Sequence, residues 1–564
     1  MPVADPLQKC LQEYRRRTPN SRRIHELASR FLPGGNTRSV VYFSPYPFVM
    51  KRASGCWIYD VDGNKYLDFV NNYTSSVHGH AHPRIVAAIE EQLEKGWTGA
   101  AAMELQHRLA EVICRRFRSM EMVRFCNSGT EATMMAIRAA RAYTGKEKIM
   151  KMEGGYHGSH PEAEISARPR PELAGIAERP LSLPDGPGIP KSVVKEVLVA
   201  PFNNAEAAEK IVKEHRQELA AVIVEPMLGI AGQIPPKEGY LQSLREITEE
   251  NDVLLIFDEV MTARLAVGGA QEFFRVKPDL TALGKMIGGD LPAGAFGGRR
   301  EIMELFSPER REFIHHAGTF NGNALAMAAG LETLRLLNAS AIDRINAIGE
   351  VLAEVVRKIF LEAGIAAQVT GIGSLKHIHF TAEEVVDYRS AMTSNEAAAK
   401  LLFFSLLNEG VFISPRGMFC ISTPMNRKTT GILLEKIEGK SEKEIPFEKI
   451  GNAFATLNLP LILASFLFYF VGGYLLYSAL FAAIGSAGDN ETDAQQFTLP
   501  VTLPLIIAFV LAQAIINEPN SSLAFWLSMI PFTSPIVMMV RIPAGVPVWE
   551  IALSMLLLVA GFLF

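Results

Sequence analysis

At residues 125–140 the chain reads "FCNSGTEATMMAIRAA": an apolar run breaks at Asn127-Ser128-Gly129-Thr130 and gives way to a helical pattern. Ser128 with Glu131 three residues later predicts a capping box, which fixes where the helix begins. The first helical amides have no partner inside the helix, and they lie at the positive end of its dipole. Such a terminus can seat a phosphate. An ordinary capped helix carries the same letters, so this stretch gives strand, turn and helix and leaves the ligand open.

Two later stretches narrow the choice. In "VLLIFDEV" (253–260), Asp258 ends a buried-strand run. A carboxylate there is costly unless it meets a cation or several donors. A pyridinium nitrogen would serve, and so would an arginine. In "TALGKMIGGDLPAGAFGG" (281–298), Lys285 follows a short apolar strand and precedes glycines that let backbone approach a bound group closely. A lysine in such a pocket loses its proton readily and can form a Schiff base, although a lone lysine reads equally as a solvated one. Phosphate seat, buried carboxylate and lysine follow in the order that pyridoxal 5′-phosphate (PLP) requires.

Around these stretches the signals alternate between strand and helix. "CWIYDVDGNKYLDF" predicts a hairpin turning at Asp62-Gly63-Asn64, and "PRIVAAIEEQLEKG" an amphipathic helix ended by Gly96. Short apolar runs such as "AAVIVEPM" suit buried parallel strands with chemistry at their C-terminal ends. The fold class is therefore α/β. The 564 residues leave room for roughly three or four domains. The net charge of −4 points to no nucleic-acid partner, and five scattered cysteines fit reduced thiols in a cytoplasmic compartment. The charged N-terminus has no apolar signal core.

Through "NSGTEA", "GGYHG", "VIVEPM", "FDEVMT", "LGKMIGG" and "AGTFNGNALAMAAG", residues 22–425 resemble the class III aminotransferases of fold type I. That group includes glutamate-1-semialdehyde aminomutase and β-phenylalanine-type aminotransferases. The resemblance implies a mainly parallel-sheet large domain (76–330) and a small α/β domain built from 1–75 and 331–425. It implies that Lys285 holds PLP as a Schiff base and shuttles a proton, that Asp258 keeps the ring nitrogen protonated, and that Ser128, Gly129 and Thr130 bind the phosphate. Tyr156 would lie against the ring and Glu225 near its polar substituents; core packing and a strand-end ion pair are their plainer readings. Thr319 would reach the phosphate of a neighbouring subunit, which implies a homodimer.

Arg38 in "GGNTRSVVYFSPYPF" and Arg416 in "FISPRGMFCIST" stand in loops beside aromatic or apolar residues. Arginine's fork binds a carboxylate bidentately, and either residue could instead be a surface charge. In the β-amino-acid aminotransferases that this chain resembles, arginines in these contexts receive carboxylates of the amino donor and the 2-oxo acid acceptor. Aminomutases tend to carry a non-basic residue where Arg416 stands, which favours transamination over an internal 2,1-amine shift. His78, His80 and His82 in "VHGHAHPRI" read as a turn before a helix, and His157 and His160 as buttresses of Tyr156 or backbone caps. No metal is expected.

After Met425 the character changes. "NRKTTGILLEKIEGKSEKEIPFEKIGNAF" reads as a charged connector (426–456) with a short possible helix near Pro446, leaving the small domain incomplete. From Leu457 onward the only basic residue is Arg541. The runs 459–487 and 497–516 are long enough to cross a hydrocarbon core needing about 20 residues. Pro531 and Pro535 break the next run, and a last one starts at Val548. Residues 431–564 resemble part of an ABC-type exporter permease, carried by "FYFVGGYLLYSALFAAIGSAGDNETDAQQF" and "IPFTSPIVMMVRIP". The expectation is a truncated transmembrane segment (457–564) joined to an enzyme, placing the chain at a membrane with its catalytic part cytoplasmic. A permease component is the alternative from another functional class.

Overall fold

The computed structural model describes residues 5–443, 459–487, 521–542 and 546–563, with scattered positions between 502 and 515. The chain divides into two units, Met1–Ile445 and Pro446–Phe564.

In the first unit the strands, in chain order, are β1 (Met50–Ser54), β2 (Trp57–Asp60), β3 (Lys65–Asp68), β4 (Met122–Cys126), β5 (Lys148–Met152), β6 (Val197–Ala200), β7 (Leu219–Val224), β8 (Leu254–Asp258), β9 (Leu280–Leu283), β10 (Gly294–Gly298), β11 (Gln368–Thr370), β12 (Leu375–His379), β13 (Val411–Phe412) and β14 (Met418–Cys420). Seven form the main sheet in the order β4-β10-β9-β8-β7-β5-β6. β10 runs antiparallel to both neighbours; the remaining pairs are parallel. Every residue of β7, β8 and β9 is buried, because helices cover both faces of such a sheet. Alternation divides the core: Val222 and Val224 pack on one face with Leu255 and Phe257, Ala221 and Ile223 on the other with Ile256 and Ala282.

β2 and β3 form the expected hairpin, with Gly63 at φ 89° supplying the turn. β13, from the far end of the unit, pairs parallel with β3, so the terminal segments share one sheet, β1-β2-β3-β13. β11, β12 and β14 form another. The boundary placed at residue 330 falls inside a continuous helix, Ala324–Leu336, which packs against the helices Pro83–Glu94 and Glu104–Arg116. Gly330 lies in that helix where an added Cβ would meet the Ile287 carbonyl oxygen, so close packing rather than a domain break explains the glycine.

The expected connector needs correction. Arg427–Lys443 is a helix that packs on Ala339–Glu362. Asn426 caps it, its side-chain oxygen accepting from the amides of Lys428 (2.9 Å) and Thr429 (3.1 Å). Leu433 and Ile437, one turn apart, are 1 % and 2 % exposed. Their i, i+4 spacing is a helix signal that the surrounding charges obscured. The small domain therefore has its covering helix. Pro446 lies outside the described residues.

In the second unit, Leu459–Ala487 is one helix, and Ser465–Ala483 within it is long and apolar enough to cross a membrane. Most of 497–516 lies outside the described residues. The run containing Pro531 and Pro535 forms two short helices, Ser522–Met529 and Ser534–Arg541, and Val548–Leu563 forms a third. Buried Arg541 pairs with Glu550 at 2.9 Å and donates to the Ser528 hydroxyl at 2.6 Å, so its charge is met inside the unit.

Candidate active site

Glu225, Asp258 and Lys285 lie just past or at the C-terminal ends of three consecutive strands, β7, β8 and β9. Register fixes the pairing, with Asp258 opposite Ala282. Parallel strands bring residues far apart in sequence to one sheet edge, where ligands of α/β proteins bind.

Asp258 is 4 % exposed. Its Oδ1 accepts from the Val260 amide at 3.1 Å, and its Oδ2 meets the His157 Nδ1 at 2.9 Å. Among the described residues His157 is its only ion-pair partner; no arginine takes that place. His157 is thus a support for Asp258 rather than for Tyr156, a role the sequence reading missed because β8 had not been laid beside the "GGYHG" turn. Burial holds the imidazole's pKa below its ordinary value, against the pull of Asp258.

Lys285 occupies a left-handed backbone conformation, φ 50°, costly for a residue with a Cβ and held here between Gly284 and the Gly288-Gly289 turn. Burial draws its pKa below the usual lysine value; Asp258 and Glu225 oppose this in part and Arg38 adds to it. Glu225 moves the other way. Burial and the neighbouring Asp258 raise its pKa, although its oxygens accept from the amides of Tyr156 (2.9 Å) and Gly229 (3.2 Å).

The helix Gly129–Thr144 starts where the sequence placed it, with Ser128 Oγ accepting from the Glu131 amide at 3.1 Å. The reciprocal bond differs from a capping box: the Glu131 carboxylate takes the Asn127 amide at 2.7 Å. The backbone around this turn is tightly nested. A Cβ on Gly129 would meet the Val260 side chain at 2.9 Å, one on Gly294 the Ser128 carbonyl oxygen at 2.1 Å, and one on Gly158 the Thr130 Oγ1 at 2.6 Å. Among the described residues the Gly129 and Thr130 amides have no partner.

Other candidates spread outward. Tyr156 is 37 % exposed. Thr319 is exposed on a loop that Asn321 ties to the Ser128 turn, accepting from Asn127 Nδ2 at 2.7 Å. Arg38 donates to Asn72 Oδ1 at 2.7 Å and lies 6.0 Å from the Tyr73 ring centre. Arg416 is exposed, and both arginines oppose the upward shift that burial gives the Tyr73 hydroxyl. His78 binds Thr423 and the Thr333 carbonyl, and His80 binds Asp68.

A buried carboxylate, a lysine of lowered pKa just past the next strand and unpartnered helix-start amides among glycines fit PLP. Comparison with known proteins agrees. Residues 41–426 match the aminotransferase class-III family, and residues 442–564 match the ABC-2 family transporter protein. The chain is 45 % identical over 401 residues to the glutamate-1-semialdehyde 2,1-aminomutase of Methanothermobacter thermautotrophicus, covering 71 % of this chain and 93 % of that one. An omega-transaminase from Sphaerobacter thermophilus is similar at TM-score 0.73 and 42 % identity, covering 75 % of this chain and 97 % of its own. A β-phenylalanine aminotransferase from Variovorax paradoxus gives TM-score 0.70 and 37 % identity, with coverages of 77 % and 96 %. Through residues 41–426 the chain belongs to the class-III aminotransferases, whose cofactor is PLP, and its fold is fold type I.

Proposed function

We propose that the first unit transfers an amino group from an amino acid, with β-amino acids the favoured class, to a 2-oxo acid. The arrangement of Glu225, Asp258 and Lys285 on adjacent strand ends, facing the Ser128-Gly129-Thr130 turn, carries this reading. PLP supplies an electron sink for bond breaking at the substrate carbon. Lys285, its proton weakly held because it is buried, would be the residue that holds the cofactor and shuttles the proton. Asp258, oriented by His157 and the Val260 amide, would keep the ring nitrogen protonated. Glu225, whose raised pKa favours the protonated carboxyl, offers a hydrogen bond to the ring's polar edge. Tyr156 would cover the ring face, and the Gly129 and Thr130 amides with Ser128 would hold the phosphate.

Arg38 and Arg416 receive carboxylates of donor and acceptor. Thr319, exposed beside Phe320 at 58 % exposure, reaches a second copy's phosphate across a homodimer face. Residues 457–564 hold the chain at a membrane with the catalytic unit on the cytoplasmic side. A 2,1-aminomutase is the second reading, favoured by the name of the 45 %-identical relative. A permease activity in the second unit is a third, supported by its ABC-2 match.

The test is turnover of β-phenylalanine, with and without a 2-oxo acid, and of glutamate-1-semialdehyde alone. Transamination requires the acceptor; turnover of the semialdehyde without one would replace it by the aminomutase reading. Lys285→Ala should abolish the visible absorbance of lysine-bound PLP, and absorbance surviving that change would sink the role of Lys285.

A further inference from the structure

Lys285 opens a turn that ends in a second strained residue, Asp290, whose φ of 70° lies in the left-handed region although it carries a Cβ. Three short-range bonds close the turn: the Ile287 amide to the Gly284 carbonyl (3.2 Å), the Gly289 amide to Met286 (3.1 Å) and the Leu291 amide to Gly288 (3.0 Å). The Asp290 carboxylate therefore projects from a fixed backbone. Its Oδ1 accepts from two consecutive hydroxyls, Ser75 and Ser76, each at 2.8 Å. Ser76 is 3 % exposed, so one of these bonds anchors the carboxylate to the protein interior.

The two serines follow another strained stretch. Asn71, Asn72, Tyr73 and Thr74 have φ values of 48°, 49°, 53° and 77°. Left-handed residues normally occur singly, and a run of them persists only where its surroundings over-determine it. Asp68 Oδ1 accepts from the Val70 and Asn71 amides at 2.8 and 3.0 Å, and Asn71 Nδ2 donates to the Cys420 carbonyl at 3.0 Å. The Tyr73 hydroxyl donates to the Val40 carbonyl, which ties the loop of Arg38 to the same turn.

A chain of bonds crosses this turn. Arg38 Nη1 donates to Asn72 Oδ1 at 2.7 Å, Asn72 Nδ2 to Ser75 Oγ at 3.2 Å, and Ser75 Oγ to Asp290 Oδ1 at 2.8 Å. A guanidinium only donates and a carboxylate only accepts, so the amide must turn its oxygen to Arg38 and the hydroxyl must turn its proton to Asp290. Each link polarises the next. Neither charged end has an ion-pair partner among the described residues, so the amide and the hydroxyl join a cation to its counter-charge. Only Nη1 of Arg38 is engaged, which leaves its Nε–Nη2 edge open to a carboxylate.

We propose that Asp290 is a positioning residue for Arg38: acting through Ser75 and Asn72, it holds the guanidinium in the orientation that receives a substrate carboxylate. The inference rests on the transaminase reading for the role of Arg38. Holding the fork in place before the ligand arrives lowers the ordering cost of binding. Because Asp290 belongs to the turn that Lys285 opens, the carboxylate fork and the lysine are set from one rigid segment.

The experiment is calorimetric titration of the PLP-loaded full-length protein in detergent with 3-phenylpropionate, a carboxylate without an amine. Asp290→Gly accepts the same φ without strain and should weaken binding about fivefold. Asp290→Asn keeps an acceptor oxygen and should recover most of that loss. Ser75→Ala should also cost about fivefold, and adding Asp290→Gly to it should cost less than about twofold more, because both cut one chain. Unchanged affinity in Asp290→Gly, no recovery in Asp290→Asn, or losses that multiply to about 25-fold in the double variant overturn the proposal. If Asp290→Gly fails to load PLP, Ser75→Ala decides, since it leaves the Lys285 turn intact, and unchanged affinity there overturns the proposal. Arg38→Gln separates the two readings: no loss in that variant removes the carboxylate role of Arg38 and this inference with it, whereas a loss there with none in Asp290→Gly overturns this inference alone.

Discussion

Replacing Leu433 by Ala tests whether the helix Arg427–Lys443 belongs to the catalytic unit. Leu433 is 1 % exposed, and truncating a leucine this buried costs about 3 kcal/mol, near the low end for core sites because a peripheral helix can settle into the gap. The helix is intrinsically weak. Gly431 and Gly439 each cost it about 1 kcal/mol relative to alanine, so docking through Leu433 and Ile437 must hold it. Gly431 has nothing within 4 Å of where a Cβ would stand, so Gly431→Ala should stabilise the helix by about 0.5–1 kcal/mol. The two substitutions therefore push in opposite directions. Hydrogen exchange of peptides from 427–443 in the full chain reads both: Leu433→Ala should speed exchange roughly a hundredfold, and Gly431→Ala should slow it about two- to fivefold. Unchanged exchange in Leu433→Ala would show that the helix is not docked as described.

Gly158→Ala puts a Cβ 2.6 Å from Thr130 Oγ1 at a φ of 108°, and should weaken PLP retention about tenfold by equilibrium dialysis; undiminished retention would remove Gly158 from the seat. His157→Phe takes away the 2.9 Å bond to Asp258 and should lower kcat about tenfold with little change in donor KM, whereas a change confined to KM would contradict a role behind Asp258. Burial pushes the pKa of His78 down to about 4 from 6.5. Because the folded-state value is depressed, stability is complete above pH 6.5 and is lost as pH falls toward 4, by roughly 3 kcal/mol from this group. The urea midpoint for release of bound PLP should fall more steeply over that window than it does in His78→Gln; equal slopes would count against it.

The sheet and the start of the Gly129–Thr144 helix were legible in the sequence because buried parallel strands are continuous apolar runs whose last residues break the pattern. Asp258 and Lys285 stood out for that reason. His157 did not. It bonds to Asp258 far away in the sequence, and only the strand order brings the two together. The helix Arg427–Lys443 was hidden differently, since two glycines and seven lysines or glutamates masked a two-residue apolar stripe.

The pairing of β13 with β3 also sets a schedule for synthesis. The first sheet cannot close until Val411 and Phe412 have left the ribosome, although β3 emerged hundreds of residues earlier. At about 5–20 residues per second, the apolar segment Ser465–Ala483 follows β14 within roughly ten seconds. Closure of the sheet and exposure of the apolar segment Ser465–Ala483 thus fall in the same short interval. A nascent chain drawn toward a bilayer at that moment has had the last strand of its N-terminal sheet for only seconds.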